Sequence, residues 1–307
     1  MKRDYVNEND WKPGEIAGLL DLAERVKREP ATFSEALAGR CLAMIFEKSS
    51  TRTRVSFEAG MFQLGGLAMF LSSRDLQLGR GETVTDTARV LSRYTDAIMA
   101  RVYAHATVEE LARHATVPVI NGLSDLLHPC QALADFLTVR ERFGTAKGFP
   151  LCYVGDGNNV AHSLLVTGAK LAARVAVVTP PGYEPRADVV AWAREAALET
   201  GGSVLVTHSL EEGLSGARAV YTDVWASMGQ EKEAEERRDK FEPYRVTARV
   251  FGMAEKDSIF LHCLPAHRGE EVDAGVIDSA ASAVLDQAEN RLHVQKALLF
   301  TLIGGPR

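Results

Sequence analysis

Apolar residues fall along this chain in short continuous runs, most of them followed by a longer stretch with helical spacing. CLAMIF at 41–46 is such a run, and a helical pattern follows from about Arg54 to Leu64. LAMFL (67–71) predicts a strand, 84–94 a helix, AIMARV (97–102) a strand, 108–114 a helix and VPVI (117–120) a strand. A long helix over 130–143 ends at the Gly/Pro break GTAKGFP (144–150), where the rhythm restarts. LCYVG (151–155), VAVVT (175–179), SVLVT (203–207), ARAVYT (217–222) and SIFLH (258–262) predict strands, with helices over 160–171 and 186–200. Runs that are apolar throughout predict strands buried on both faces, and such strands joined by helices imply parallel α/β sheets. The expectation is an α/β protein of two domains, each a parallel β-sheet flanked by helices, covering 1–143 and 144–287. A last helical pattern, 288–302, precedes no strand. The segment 288–307 is expected to pack back on the first domain.

At 307 residues the chain exceeds the size at which single cores stop growing, which agrees with two domains. The net charge of −6 argues against nucleic acid or an anionic membrane as a partner, so an anionic ligand would need a local basic site. Four dispersed cysteines without a CxxC pair read as reduced thiols. The polar N-terminus has no signal-like apolar segment, and no apolar run is long enough to span a membrane. A soluble cytoplasmic protein is expected. The charge run GQEKEAEERRDK (229–240) reads as a solvated helix face, or as the stem of a mobile loop, since it follows DVWASM.

Candidate chemistry gathers at strand-to-helix turns. In FEKSSTRTRVSFE (46–58), Ser50, Thr51 and Thr53 offer hydroxyls and Arg52 a guanidinium fork where a helix begins, a place suited to phosphate; a capped helix with surface arginines is the plain alternative. HPCQ (128–131) sets His128 and Gln131 on another such turn, with Pro129 suited to the first helical position. Arg101 ends a buried strand, where α/β sites lie. GDGNN (155–159) invites a dinucleotide reading, but Val160 stands where the third glycine belongs, and the next strand ends in Thr179-Pro180-Pro181 without an acid. His128, Cys130, His262 and Cys263 lack the two-to-four spacing usual in zinc sites. No cofactor and no metal is expected.

The string Ser-Thr-Arg-Thr-Arg at 50–54, with HPCQ, GDGNN, DVWASMG (223–229) and HCLP (262–265) in that order, resembles the aspartate/ornithine carbamoyltransferase family, the last three its ornithine branch. The resemblance implies a direct transfer from carbamoyl phosphate to L-ornithine without a covalent enzyme intermediate. By that resemblance Ser50, Thr51, Arg52, Thr53, Arg101 and Arg291 hold the phosphate, and His128 and Gln131 the carbamoyl group. Gln77, in the loop LQLGRGET, would enter a neighbouring subunit's site; Gly81 stands there where some relatives carry a basic residue. Asn159, Asp223, Ser227 and Met228 would bind the amino-acid end of ornithine. Cys263 and the Leu264 carbonyl would lie beside its δ-amine. Arg101, His128 and Cys263 are the implied catalytic residues, and the family's ring of three implies a homo-oligomer, a trimer or a multiple of trimers. Siblings acting on putrescine or N-acylated ornithine, and a non-catalytic metabolite-binding protein, are the rival readings.

Overall fold

The computed structural model describes residues 2–74, 76, 81–226 and 234–304. Two compact units emerge, Met1–Ala134 with Asn290–Arg307, and Asp135–Glu289.

The first unit opens with α1 (Pro13–Arg28), followed by β1 (Cys41–Phe46), α2 (Thr51–Gln63), β2 (Leu67–Ser72), α3 (Val84–Tyr94), β3 (Ala97–Arg101), α4 (His105–His114), β4 (Val119–Leu123) and the start of α5 (Pro129–Phe143). Its four strands are parallel, in the order β2-β1-β3-β4. Helix α1 went unread in the sequence. It starts on Pro13 and buries Ile16, Leu19, Leu20, Ala23 and Val26 along one face, the spacing of an amphipathic helix. Strand β4 lies two to three residues later than the apolar run VPVI. Its interior carries Asn121, fully buried, with Nδ2 donating to the Val6 carbonyl at 3.1 Å. The core here joins Ala43, Ile45, Ile98, Ala100, Val108 and Leu111.

In the second unit, β5 (Pro150–Val154), α6 (Asn159–Lys170), β6 (Arg174–Val178), α7 (Ala187–Thr200), β7 (Ser203–Thr207), α8 (Leu210–Leu214) and β8 (Ala219–Thr222) come first. After them run α9 (Ala234–Phe241), α10 (Ala248–Phe251), β9 (Ile259–His262), α11 (Ala274–Ile277) and α12 (Val284–Ile303). The strands are again parallel, ordered β7-β6-β5-β8-β9. From Val160 to Lys170, α6 is buried on every side, its polar residues His162, Ser163, Thr167 and Lys170 included. Cys152, Val154, Val178, Val220 and Phe260 centre the core.

Helix α12 begins four residues before the predicted start. Its later turns pack on the first unit. Lys27 Nζ donates to Asn290 Oδ1 and Lys296 Nζ to Gln63 Oε1, each at 2.9 Å, and Phe300 meets Phe33 edge-on. The C-terminal helix thus returns to the first domain, as its pattern implied. Among the described residues no helix is long and apolar enough to cross a membrane.

Both strand orders contain a switch point, where chain connections leave in opposite directions. It lies between β1 and β3 in one sheet and between β5 and β8 in the other. In open α/β sheets ligands bind outside the carboxyl ends of the strands at such points. The first two carry the 46–58 segment and Arg101; the second two carry GDGNN and Asp223.

Candidate active site

In the first unit the chain leaves β1 and enters α2 through Ser50. Its Oγ accepts from the Thr53 backbone N–H at 3.2 Å, capping the helix. Thr51, Arg52 and Thr53 form the first turn, where backbone N–H groups lack helical partners and the dipole is positive. Thr53 is fully buried, and distant parts of the chain converge on its hydroxyl. Arg291 Nη2 donates to Thr53 Oγ1 at 3.2 Å, Arg101 Nη1 at 3.5 Å, and Ser50 Oγ at 3.2 Å. The other arm of Arg291 donates to Gln131 Oε1 at 2.6 Å, which fixes how that amide is turned. Arg291 is 2 % and Arg101 8 % exposed.

His128, one residue before α5, lies buried beside this group. Burial, then the charges of Arg291, Arg101 and Arg52, holds its pKa well below the ordinary imidazole value. The ring is therefore neutral at physiological pH, with one N–H to donate and no added positive charge. Three guanidiniums at a helix N-terminus suit a phosphate dianion. A neutral imidazole and an oriented amide beside them suit a carbonyl group.

Sheet register builds the arrangement in the second unit. Strands β8 and β9 pair Thr222 with His262, so the next residues, Asp223 and Cys263, stand side by side. The Cys263 thiol donates to Asp223 Oδ1 at 3.1 Å. Tyr153 pairs with Tyr221 across β5 and β8, which brings the GDGNN turn alongside. Asn158 caps α6, its Oδ1 accepting from Val160 N at 2.9 Å and Ala161 N at 3.2 Å, while Nδ2 donates to Asp223 Oδ2 at 3.0 Å. Gly157 is required here, since a Cβ would come within 2.2 Å of Pro185 N. Leu264 follows Cys263 at φ +58°, with a cis bond to Pro265.

Family models for the aspartate/ornithine carbamoyltransferase carbamoyl-P binding domain and Asp/Orn binding domain match residues 3–141 and 147–302. The chain belongs to the aspartate/ornithine carbamoyltransferase family. It is 57 % identical over 305 residues to the ornithine carbamoyltransferase of Pyrococcus horikoshii, covering 99 % of this chain and 96 % of that protein. Over 303 residues it is 57 % identical to a Pyrococcus furiosus protein named as the anabolic ornithine carbamoyltransferase, covering 99 % of this chain and 95 % of that one. A solved ornithine carbamoyltransferase from Pyrococcus furiosus superposes with a TM-score of 0.96 at 56 % identity, over 100 % of this chain and 98 % of that one. One from Giardia lamblia superposes with a TM-score of 0.91 at 35 % identity, over 100 % of both chains.

Within this carbamoyltransferase fold, Ser50, Thr53, Arg101, Gln131 and Arg291 form one hydrogen-bonded group, with His128 and Arg52 in electrostatic reach. Thr51 opens α2 beside them, exposed. In the second unit Asp223 and Cys263 are bonded, Leu264 follows, and Asn159 is the first residue of α6. Gln77, Ser227 and Met228 lie outside the described residues.

Several residues escaped the sequence reading. Asn158 is one; an asparagine before a helix reads only as a cap. Arg237, inside the charge run, is another. It is 5 % exposed, pairs with the Asp156 carboxylate of the GDGNN turn and donates to the Trp225 carbonyl. The run 229–240 is therefore not wholly a solvated face: one arginine ties α9 to both turns. His262 and Glu271 are a third case. His262 Nδ1 accepts from the Leu264 N–H at 2.8 Å, and its Nε2 faces Glu271 Oε1 at 3.3 Å. Burial raises the Glu271 pKa, but hydrogen bonds from His262 and from the His267 N–H outweigh it and hold the group below the ordinary carboxyl value. Asp223, His262 and Cys263 offer donor atoms within 4.8 Å of one another, as do His267, Glu270 and Glu271. A metal on the first set would have to take a His262 nitrogen that already serves Leu264 or Glu271.

Proposed function

We propose that this chain transfers the carbamoyl group of carbamoyl phosphate to the δ-amine of L-ornithine, giving L-citrulline and phosphate. Relatives at 57 % identity over nearly the full chain carry that activity in their names. The observation that carries the reading for this chain is the convergence of Arg101 and Arg291 on the buried hydroxyl of Thr53 in the first turn of α2, with Gln131 held by Arg291 and neutral His128 alongside.

In this reading Ser50, Thr51, Arg52, Thr53, Arg101 and Arg291 hold the phosphate, with Gln77 contributed by a neighbouring subunit. His128 and Gln131 engage the carbamoyl group. Asn159, Asp223, Ser227 and Met228 hold the amino-acid end of ornithine, and Cys263 and the Leu264 carbonyl flank the δ-amine. An alkylamine has a pKa near ~10.4 and must lose a proton before it attacks; the Asp223–Cys263 pair offers an acceptor. Attack builds negative charge on the carbonyl oxygen, which His128 and Arg101 stabilise, and the arginines offset the charge of the departing phosphate. Positioning and electrostatics supply the rate.

The reading extends to a cytoplasmic homo-oligomer, a trimer or a multiple of trimers. Val55, Phe62, Leu67, Phe70, Val90 and Tyr94 on α2, β2 and α3 are exposed, Phe62 by 81 %, and burial of such apolar side chains against another copy of the chain supports it. Light scattering coupled to gel filtration tests this: a mass of three chains or a multiple is expected, and a monomer contradicts it.

The activity is tested by measuring ureido product from carbamoyl phosphate with L-ornithine, N-acetylornithine, putrescine and aspartate separately. Product with ornithine alone is expected. Turnover of a different acceptor would keep the carbamoyl-phosphate assignment and overturn the ornithine one. Folded protein that binds carbamoyl phosphate yet yields no product with any acceptor would point to a binding protein.

A further inference from the structure

We infer that Asn158 is a positioning residue for the second substrate: its carboxamide, locked by the cap of α6, aims the Asp223 carboxylate at the ornithine amino group and at Cys263. The inference rests on the assignment of Asp223 to the ornithine site proposed above.

Asn158 Oδ1 faces the helix, accepting from Val160 N and Ala161 N, with the Tyr153 hydroxyl at 3.5 Å. An amide whose oxygen points at two N–H donors must turn its NH₂ the other way. That NH₂ meets Asp223 Oδ2 at 3.0 Å. The other oxygen, Oδ1, takes the Cys263 S–H at 3.1 Å. Each carboxylate oxygen thus has one directional donor, which fixes the rotation of Asp223 and leaves acceptor directions for a cationic amine. The cap has its own anchor: strand β5 leads through Gly155 and Gly157, and backbone at Pro185 and Glu184 presses against Gly157 with no room for a side chain. Asn158 therefore carries the rigidity of the sheet and of the α6 N-terminus to the carboxylate. Two adjacent asparagines then have separate tasks, Asn158 aiming Asp223 and Asn159, by the assignment proposed above, binding the amino-acid end of ornithine.

Titratable and charged groups face this carboxylate from several elements. Cys263 and His262 lie on the β9 side. The buried phenols of Tyr153 and Tyr221, both pushed up by burial and then by nearby anionic groups, lie beneath on β5 and β8. Asp156 is nearby and paired with Arg237 from α9, and Asp135 lies near Tyr221.

Asn158→Asp separates the cap from the aim. Aspartate caps helices as well as asparagine does, so the thermal midpoint should hold. The new carboxylate, however, faces Asp223 with a like charge and no donor. Two such carboxyls retain a shared proton as pH falls, and that proton restores a donor at position 158. At pH 8 the KM for ornithine should rise by about 30-fold over wild type, within the ~5–150-fold expected when a buried acceptor loses its donor. The ratio should shrink to less than about 5-fold at pH 6, while the carbamoyl phosphate dissociation constant stays within about two-fold of wild type. Asn158→Ser keeps a capping oxygen without adding charge; its ornithine KM should rise by about 10-fold with a ratio that does not change with pH. Asp223→Asn is measured alongside. If it leaves the ornithine KM unchanged, the assignment of Asp223 fails and the inference with it. If it raises the KM while both Asn158 variants stay within two-fold of wild type, the inference alone is overturned. A raised KM in Asn158→Asp whose ratio is flat from pH 6 to 8 also overturns it, since a merely structural defect behaves that way. Should Asn158→Asp fail to fold, the serine variant decides: a raised KM supports the inference and a wild-type KM overturns it.

Discussion

The two units present opposite ways of making a binding surface from the same kind of sheet. In the first, the parts come from far apart in sequence: Arg101 and Arg291 donate to the buried hydroxyl of Thr53, and Arg291 donates to Gln131 as well. In the second, neighbouring strand ends supply neighbouring side chains: the register Thr222↔His262 makes Asp223 and Cys263 adjacent although they are 40 residues apart in sequence. The first arrangement is held by electrostatics and the second by register. Substitutions should therefore fail differently in the two units. Removing a charge should wreck the first, and disturbing backbone geometry should wreck the second.

The largest effect is expected from Arg101→Ala. It removes a donor to Thr53 and one of three charges around His128. Loss of one preorganised charged donor costs about 10²–10³-fold in rate, so kcat/KM for carbamoyl phosphate should fall by about 10³-fold, the upper end of that range, while the ornithine KM shifts far less. An equal rise in both KM values would erase the contrast between the units.

Next comes His128→Asn, expected to lower kcat by about 10²-fold through loss of a donor to the developing oxyanion. The same residue predicts a pH effect on stability. Its folded pKa is depressed, so below about 6.5 the unfolded chain binds a proton that the folded chain refuses. Its contribution to stability is intact above that pH and is lost as pH falls toward the folded pKa. Thermal unfolding of wild type and His128→Asn between pH 7.5 and 5 checks this. The wild-type midpoint should decline more steeply below pH 6.5, and parallel curves would remove His128 as the cause.

A backbone test of the second unit is Gly157→Ala. The added methyl meets Pro185 N and Glu184 C, and overpacking of this kind costs about 1–3 kcal/mol. Chemical denaturation should show that loss together with a raised ornithine KM and an unchanged affinity for carbamoyl phosphate. The smallest effect is expected at Arg142–Asp286, an ion pair with both side chains about half exposed. Arg142→Ala should change stability by no more than about 1 kcal/mol, as surface pairs do; a larger loss would show that charge also matters to the second unit.

Much of this was legible beforehand because central parallel strands are apolar almost from end to end, and CLAMIF of β1 and LCYV of β5 declare themselves. Strand β4 was displaced because Asn121 interrupts its apolar run with a buried amide, satisfied by the carbonyl of Val6, 115 residues away in sequence. Helix α1 hid behind its charges, Glu15, Asp21, Glu24 and Arg25, although its buried positions keep helical spacing. The charged site residues stood out because the string Ser-Thr-Arg-Thr-Arg is rarely ambiguous in context. Asn158, Arg237 and Glu271 did not, because their roles depend on partners 65, 81 and 9 residues away, and no local pattern encodes such pairings.

The most direct test of the contrast between the units is calorimetric titration of carbamoyl phosphate into wild type, Arg291→Ala and Asp223→Asn. Arg291 binds Thr53 and Gln131 in the first unit, and Asp223 binds Cys263 and Asn158 in the second. Arg291→Ala should weaken carbamoyl phosphate by about 30-fold or more, in line with the loss of a charged hydrogen-bonding partner, and Asp223→Asn should leave it within about two-fold of wild type. Equal weakening by both, or none from Arg291→Ala, would contradict the division of the substrates between the two units.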